Sequence, residues 1–182
     1  MSREIEIRRI STGDAPALGD FFTALAADSD TVSFFHPHPF TRDFAIELCG
    51  SVHARKDGYY AACFGGVVIA YMILRGWDEG YSVPSFGVCN HPALRDVGLG
   101  QALLAHAVAE CRAAGSTKLR LTVFKNNERA VHVYRKFGFV FQDKNEHELV
   151  GFLDLGKCPR IPVRPLNLSK INAWFAAPTR AA

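Results

Sequence analysis

The sequence predicts an α/β domain, a mixed β-sheet with helices on its faces. Short apolar or β-branched runs near residues 4–9, 59–64, 67–75, 83–90, 119–124, 139–141 and 148–153 read as strands. Between them, apolar residues recur at helical spacing, and Asp57-Gly58, Gly65-Gly66, Gly115 and Gly138 punctuate the changes. The resulting order is β-α-α-β-β-β-α-β-α-β-β, with no internal repeat.

Each element has a local reason. Glu4–Arg9 alternates charge and apolar residues, as a half-buried strand does. Thr12 and Asp14 are cap-type residues before Ala17, Leu18, Phe21, Phe22 and Leu25, a helical run that Asp28-Ser29-Asp30 is expected to end. The stretch Phe34-Phe35-His36-Pro37-His38-Pro39-Phe40 is excluded from helix, because each proline pushes the preceding residue towards extended geometry. Thr41 caps a second helix through Phe44, Ile46 and Leu48 to about Arg55. Leu99, Leu103, Leu104, Ala107, Val108 and Cys111 mark an amphipathic helix that Gly115 ends, and Ala130, Val133, Tyr134 and Phe137 mark the next.

At 182 residues the chain suits one core, and 48% hydrophobic against 21% charged residues is ordinary globular usage. Met1–Arg9 has no hydrophobic leader core. The longest nearly apolar stretch, Tyr59–Leu74, is broken by Gly65-Gly66 and is shorter than the ~20 residues of a membrane helix. A cytoplasmic protein without a membrane partner is therefore expected. The cysteines at 49, 63, 89, 111 and 158 are odd in number and form no Cys-x-x-Cys pair, so they read as reduced, core-type thiols.

Charge divides the chain. Residues 155–182 hold Lys157, Arg160, Arg164, Lys170 and Arg180 and no acid, whereas the rest is slightly acidic. We read 1–156 as the folded domain and 157–182 as a basic extension. Leu168, Ile171 and Phe175 fall at helical spacing within it, so a short helix near 168–175 is expected, docked on its own domain or on a second subunit as in a homodimer. Nucleic-acid binding would rest on this tail alone and is not expected.

The strongest chemical signal is a strand, then Asn90-His91-Pro92-Ala93-Leu94-Arg95-Asp96-Val97-Gly98-Leu99-Gly100, then a helix. A helix N-terminus offers unpaired N–H groups and a positive dipole end. Gly98 and Gly100 remove side chains that would block a phosphate, and Arg95 adds a permanent planar cation, so the run suits a diphosphate. A dinucleotide fold would need a third small residue and an acid after the next strand; position 103 is Leu and that strand runs into Phe124-Lys125-Asn126.

With this run in view, the chain resembles the GNAT superfamily of N-acetyltransferases. Arg95-x-x-Gly98-x-Gly100 is similar to the family's coenzyme A pyrophosphate loop. Asn127-Glu-Arg-Ala130-Val-His-Val-Tyr134-Arg-Lys-Phe137-Gly138-Phe139 is similar to its Asn-x-x-Ala-x-x-x-Tyr-x-x-x-Gly-Phe helix. The resemblance implies a mostly antiparallel central sheet of about seven strands, splayed at the strand before the loop, with acetyl-CoA as co-substrate and no metal. It implies pantetheine contacts at the backbone of Val88 and Asn90. It further implies that Val97, Gly98, Leu99, Gly100 and Gln101 hold the diphosphate with Arg95, and that Asn127 bonds the coenzyme. Tyr134, on the same helix face, would be the acid that protonates the departing thiolate, and backbone N–H groups would stabilise the carbonyl oxygen.

The base is open. The strand 83–88 has no carboxylate, leaving Asp78 and Glu79 in the preceding loop or a water relay from Ser85. The resemblance implies that His36 and His38 fall in the acceptor-facing connection, and they are read as a substrate wall or stiff lid, since no third metal ligand accompanies them. The acceptor expected is a primary amine of a small molecule. A protein N-terminus or lysine is the alternative, and a non-catalytic acyl-CoA sensor the alternative of another class.

Overall fold

The fold is that of a computed structural model, which describes residues 4–158 and 163–177. Seven strands form one sheet in the order β1-β2-β3-β4-β5-β7-β6. They are β1 (Ile5–Arg9), β2 (Gly58–Phe64), β3 (Val67–Arg75), β4 (Ser85–Asn90), β5 (Lys118–Phe124), β6 (Val140–Asp143) and β7 (Glu148–Asp154). The helices are α1 (Ala15–Ala26), α2 (Ser29–Phe34), α3 (Arg42–Ser51), α4 (Leu99–Ala113), α5 (Glu128–Lys136) and α6 (Leu168–Ala176).

All neighbouring strands are antiparallel except β4 and β5, which run parallel and share a single registered pair, Ser85 with Arg120. The Arg120 N–H donates to the Pro84 carbonyl at 3.0 Å. Beyond that point the strands diverge, and the β4 edge from Phe86 to Asn90 has no strand partner on that side. Strand β4 starts at Ser85, two residues later than the expected Val83, because Pro84 has no N–H to give a ladder.

Two cores, one on each sheet face, follow from the alternation. Phe21, Phe22 and Leu25 of α1 and Leu48 of α3 pack on Tyr71 and Ile73 of β3. On the other face, Leu99, Leu103, Leu104 and Ala107 of α4 pack on Met72, Leu74, Leu119 and Leu121. All five cysteines are free thiols and all but Cys158 are buried. Among the described residues no helix is long and apolar enough to cross a membrane.

One expectation is incomplete. Helix α1 does end before Asp28-Ser29-Asp30, at Ala26, but the same segment also starts a further helix, α2, that the sequence reading lacks. Asp28 accepts from the Thr31 N–H at 2.8 Å and from the Thr31 hydroxyl at 2.6 Å, which is N-cap chemistry. Downstream, α3 stops at Ser51 and passes through a 3-10 turn at Val52–Ala54 instead of continuing to Arg55.

The basic extension crosses the molecule. Residues 163–167 run over the 95–101 loop, and α6 then buries Ile171 completely, sets Trp174 4.6 Å from His91 and sets Phe175 edge-on to Phe64 at 5.2 Å. A Cβ on Gly65 would lie 2.6 Å from the Phe175 ring, so the β2–β3 hairpin turn must present a glycine where α6 docks. Arg160 and Arg180 of the extension lie outside the described residues.

Candidate active site

The loop between β4 and α4 is wound by two left-handed residues, Asp96 (φ 68°) and Gly98 (φ 92°). Asp96 carries a side chain in a region that L-residues rarely visit. Its carboxylate is held by Arg129 of α5, which ties the loop to the neighbouring helix. Gly98 is the N-cap of α4 and has no capping side chain. The first intrahelical bond is from the Ala102 N–H to Gly98 O, at 3.1 Å, and the N–H groups of Leu99, Gly100 and Gln101 find no acceptor among the described residues. Free donors at a positive helix end form an anion site.

This loop is one end of a cleft of about 850 Å³ lying in the β4–β5 splay. Val88, Asn90, Arg95, Gly98, Gly100, Gln101, Asn127 and Tyr134 all line it. Asn90 Oδ1 is buried and finds no hydrogen-bond partner among the described residues, and a Cβ on Gly100 would stand 3.8 Å from the Asn90 amide nitrogen. An orphaned acceptor beside a glycine and free N–H groups is a site shaped for a polar ligand. Asn127 lines the cleft and caps α5 by accepting from the Ala130 N–H at 3.2 Å.

Val97 and Leu99 are buried, so what they offer is backbone. The Val97 carbonyl accepts from the Asn167 N–H at 3.0 Å, the Gln101 side chain accepts from the Arg164 N–H at 3.1 Å, and Lys170 Nζ donates to Arg95 O at 2.9 Å. The extension thus braces the loop from behind and brings Arg164 into the lining of the cleft. Two of its basic residues, Arg164 and Lys170, stand at the loop, and Arg164 is a cleft residue that sequence reasoning missed. Arg95 lines the same cleft, but its guanidinium is bonded to Asp28 and to the Thr31 hydroxyl (3.2 Å), with Asp30 at 3.6 Å. The Asp28 carboxyl is held below its ordinary range, first by the Thr31 hydroxyl that donates to it and then by the Thr31 N–H and Arg95.

Tyr134 projects from the middle of α5 between Phe86, edge-on at 6.4 Å, and Phe139 at 5.6 Å. Burial pushes its phenol up to about 12, so it is protonated throughout the neutral range. A neutral phenol at the floor of a splayed sheet is a proton donor with no competing acceptor among the described residues.

A second cleft of about 490 Å³ meets the first at Phe34, Phe35, Phe86, Gly87 and Thr122. Glu79, Ser85 and His36 line it. His36 lies with its Nδ1 3.1 Å from the Val32 carbonyl and its ring 6.1 Å from Phe124. His38 lines neither cleft, which corrects its assignment to the acceptor wall. Its ring stacks on Phe44 at 4.3 Å, Nδ1 lies 3.0 Å from the Pro39 carbonyl, and Nε2 lies 3.1 Å from the Tyr71 hydroxyl. A carbonyl only accepts, so Nδ1 carries the proton and Tyr71 donates to Nε2. Burial accordingly lowers the pKa of this ring. Asp78 is also engaged elsewhere, accepting from the Lys56 N–H at 2.8 Å.

The model of the acetyltransferase (GNAT) family matches residues 24–139. The chain belongs to the GNAT family. It is an acyl-CoA-dependent acetyltransferase, and the free donors, glycines and orphaned Asn90 oxygen of the first cleft fit acetyl-CoA as its co-substrate. None of the curated proteins searched matches the sequence. Among solved structures, a GNAT-family acetyltransferase of Streptococcus pneumoniae is 20% identical, with a TM-score of 0.69 over 83% of this chain and 99% of that one. A spermidine N-acetyltransferase of Vibrio cholerae, in complex with CoA and spermine, is 15% identical with a TM-score of 0.69 over 86% and 98%. A putative acetyltransferase of Salmonella typhimurium, solved with acetyl-CoA, is 18% identical with a TM-score of 0.65 over 84% and 94%. At such identities these likenesses speak for the fold.

Proposed function

We propose that this GNAT enzyme acetylates the primary amine of a small molecule, by direct attack of the amine on the acetyl thioester with both substrates bound. The observation that carries this reading is the meeting of the two clefts at Phe86 and Gly87, next to the Tyr134 ring. The first cleft suits the coenzyme from diphosphate to thioester. The second, about 490 Å³, is the size of a small-ligand pocket.

In this reading the first-turn N–H groups of α4 hold the diphosphate and Arg164 supplies charge beside them, while Arg95, bonded to Asp28, fixes α2 against the loop. The unpartnered β4 edge at Val88 and Asn90 takes the pantetheine amides, and Asn127 fixes the coenzyme from the head of α5. When the amine nitrogen bonds to the carbonyl carbon and the carbon–sulfur bond breaks, Tyr134 gives its proton to sulfur and is reprotonated from solvent. The amine must arrive neutral. Its surplus proton leaves through the second cleft, where Glu79 and a water chain from the Ser85 hydroxyl are the available acceptors.

The test is Tyr134→Phe. Thiol release with a competent amine should fall roughly 10²-fold or more, the scale of a lost acid catalyst, while acetyl-CoA affinity measured by calorimetry stays unchanged. Because burial holds the phenol near 12, wild-type turnover should show no loss from Tyr134 ionisation below pH 10. Near-normal turnover in the variant would return Tyr134 to a packing role.

A further inference from the structure

Strand register brings three polar residues into one row of the second cleft. Arg75 at the end of β3 is the Cα partner of Ser85 on β4, and Ser85 is the Cα partner of Arg120 on β5. Cross-strand partners share a sheet face. The neighbours of Arg120 on its own strand, Leu119 and Leu121, are buried in the opposite core, which leaves Arg120 on the cleft side. Neighbouring strands lie ~4.8 Å apart, so two arginines flank one serine hydroxyl across roughly 10 Å of sheet.

These cations are not neutralised by the cleft itself. Arg75 donates to the Pro37 carbonyl at 3.2 Å, and Arg120 is half-buried with no side-chain hydrogen bond or ion pair among the described residues. Of the acids in the lining, Glu148 is already taken by Lys144 at 2.8 Å and by the Asn145 amide at 2.7 Å. That leaves Glu79 against two guanidiniums. A guanidinium that lines an open cleft without a protein partner keeps its donors for water or for a ligand's anion.

We propose that the acceptor is an amine that also bears a carboxylate, and that Arg120, with Arg75 beside it, binds that carboxylate above Ser85. This deepens the small-amine reading and rests on it. A guanidinium presents a planar fork that matches a carboxylate's two oxygens. Gly87, where the clefts meet, is two residues along β4 from Ser85, or ~7 Å. The amine and the carboxylate therefore sit a few bonds apart, as in an amino acid. A polyamine, the ligand of the Vibrio cholerae structure, would meet an excess of positive charge here.

The experiment is thiol release by the full chain at saturating acetyl-CoA. Acceptors are amino acids, each paired with its carboxamide and its decarboxylated amine, with spermidine added. The carboxylate member of a pair should lead in kcat/KM by roughly tenfold or more, the worth of a charged hydrogen-bonded pair. Arg120→Gln should bring that ratio close to one, and Arg120→Lys, which keeps the charge, should retain part of it. Equal or better turnover of carboxamides or spermidine would overturn the proposal, as would an undiminished ratio in a folded Arg120→Gln protein. A binding arm titrates N-acetyl amino acids and their N-acetyl carboxamides into enzyme saturated with coenzyme A. Arg120-dependent binding of the carboxylate form with no amine turned over would uphold the anion site and sink the small-amine reading. Silence in both arms would overturn both.

Discussion

Gly98 holds φ 92° and ψ −4° at the head of α4, and a Cβ there would lie 3.4 Å from Arg164 O, Pro165 O and Leu166 Cδ2. In Gly98→Ala the methyl just reaches contact, so the cost is mainly the left-handed backbone, ~1–2 kcal/mol. For a domain of this length that lowers Tm by about 2–8 °C. In Gly98→Val the two γ-methyls must enter space already filled by the 164–166 segment, adding ~1–3 kcal/mol of overpacking. The cheapest relief is to twist the loop, which turns the Leu99, Gly100 and Gln101 N–H groups away from a bound diphosphate. Losing two charge-assisted bonds of ~1.5 kcal/mol each corresponds to roughly 10²-fold in acetyl-CoA affinity. Calorimetry reads that loss and thermal melts read the strain. Leu166→Ala should recover part of the Val penalty and none of the Ala penalty, since it removes the wall and not the dihedral strain. Full acetyl-CoA affinity in Gly98→Val would refute the cradle, and a Val penalty indifferent to Leu166 would refute the packing argument.

Other perturbations test what holds the site in place. Asp57 is buried, and its Oδ1 accepts from the N–H groups of Gly76 (2.9 Å), Trp77 (2.8 Å) and Asp78 (3.1 Å). Asp57→Ala should cost about 3 kcal/mol and lower Tm by about 6–12 °C, loosening the loop that carries Glu79; a shift under about 2 °C would mean water replaces the carboxylate. The Arg8 guanidinium grips Asp14 through bonds of 2.7 and 2.6 Å and pulls its pKa from 3.8 to about 2, against burial, which raises it. A depressed carboxyl stabilises the fold above about pH 4 and loses that contribution as pH falls towards 2. Asp14→Asn should therefore melt lower at pH 7 by about 1–2 kcal/mol, allowing for the partly exposed Arg8, with the gap closing between pH 4 and pH 2. A gap independent of pH would assign the loss to packing. Truncation after Gly156 should lower Tm, since burying Ile171 alone contributes about 1.5–3 kcal/mol, and should weaken acetyl-CoA binding by unbracing Val97 and Gln101; no change in either would make the extension dispensable.

What could be read from the sequence was local. Alternation along β1, the apolar runs of β3 and β5, the spacing of Leu99, Leu103, Leu104 and Cys111, and the paired glycines of the loop are properties of short windows, and the structure follows them. The N-terminus of α2 was also local but ambiguous: Asp28 both stops one helix and caps the next, and only its bonds to Thr31 tell the two roles apart. His38 was misplaced for a different reason. Two of its neighbours, Phe22 and Tyr71, are distant in sequence, and the aromatic cluster they form with Phe44 claims an imidazole whatever the prolines beside it suggest. The row Arg75, Ser85, Arg120 likewise exists only once three strands are in register. So does the brace between Gln101 and Arg164, 63 residues apart.

The two substrate sites share one structural cause. A parallel pair joined at a single register position leaves an unsatisfied seam in the sheet, and that seam is tolerable because ligand amides can complete it. Arg120 closes the seam with its backbone and lines the second cleft with its side chain, so the bond that sets where the splay begins also sets where the proposed acceptor's anion would rest. Gly87 marks the other limit. A Cβ there would stand 2.9 Å from both Ile73 Cγ1 and Phe35 Cε2, closer than such atoms approach. A side chain at 87 would thus displace Ile73 or Phe35, the latter one of the residues that line both clefts, where the two clefts meet. One missing methyl group keeps the amine's route to the thioester open, and the sequence conceals this because nothing near residue 87 mentions Phe35.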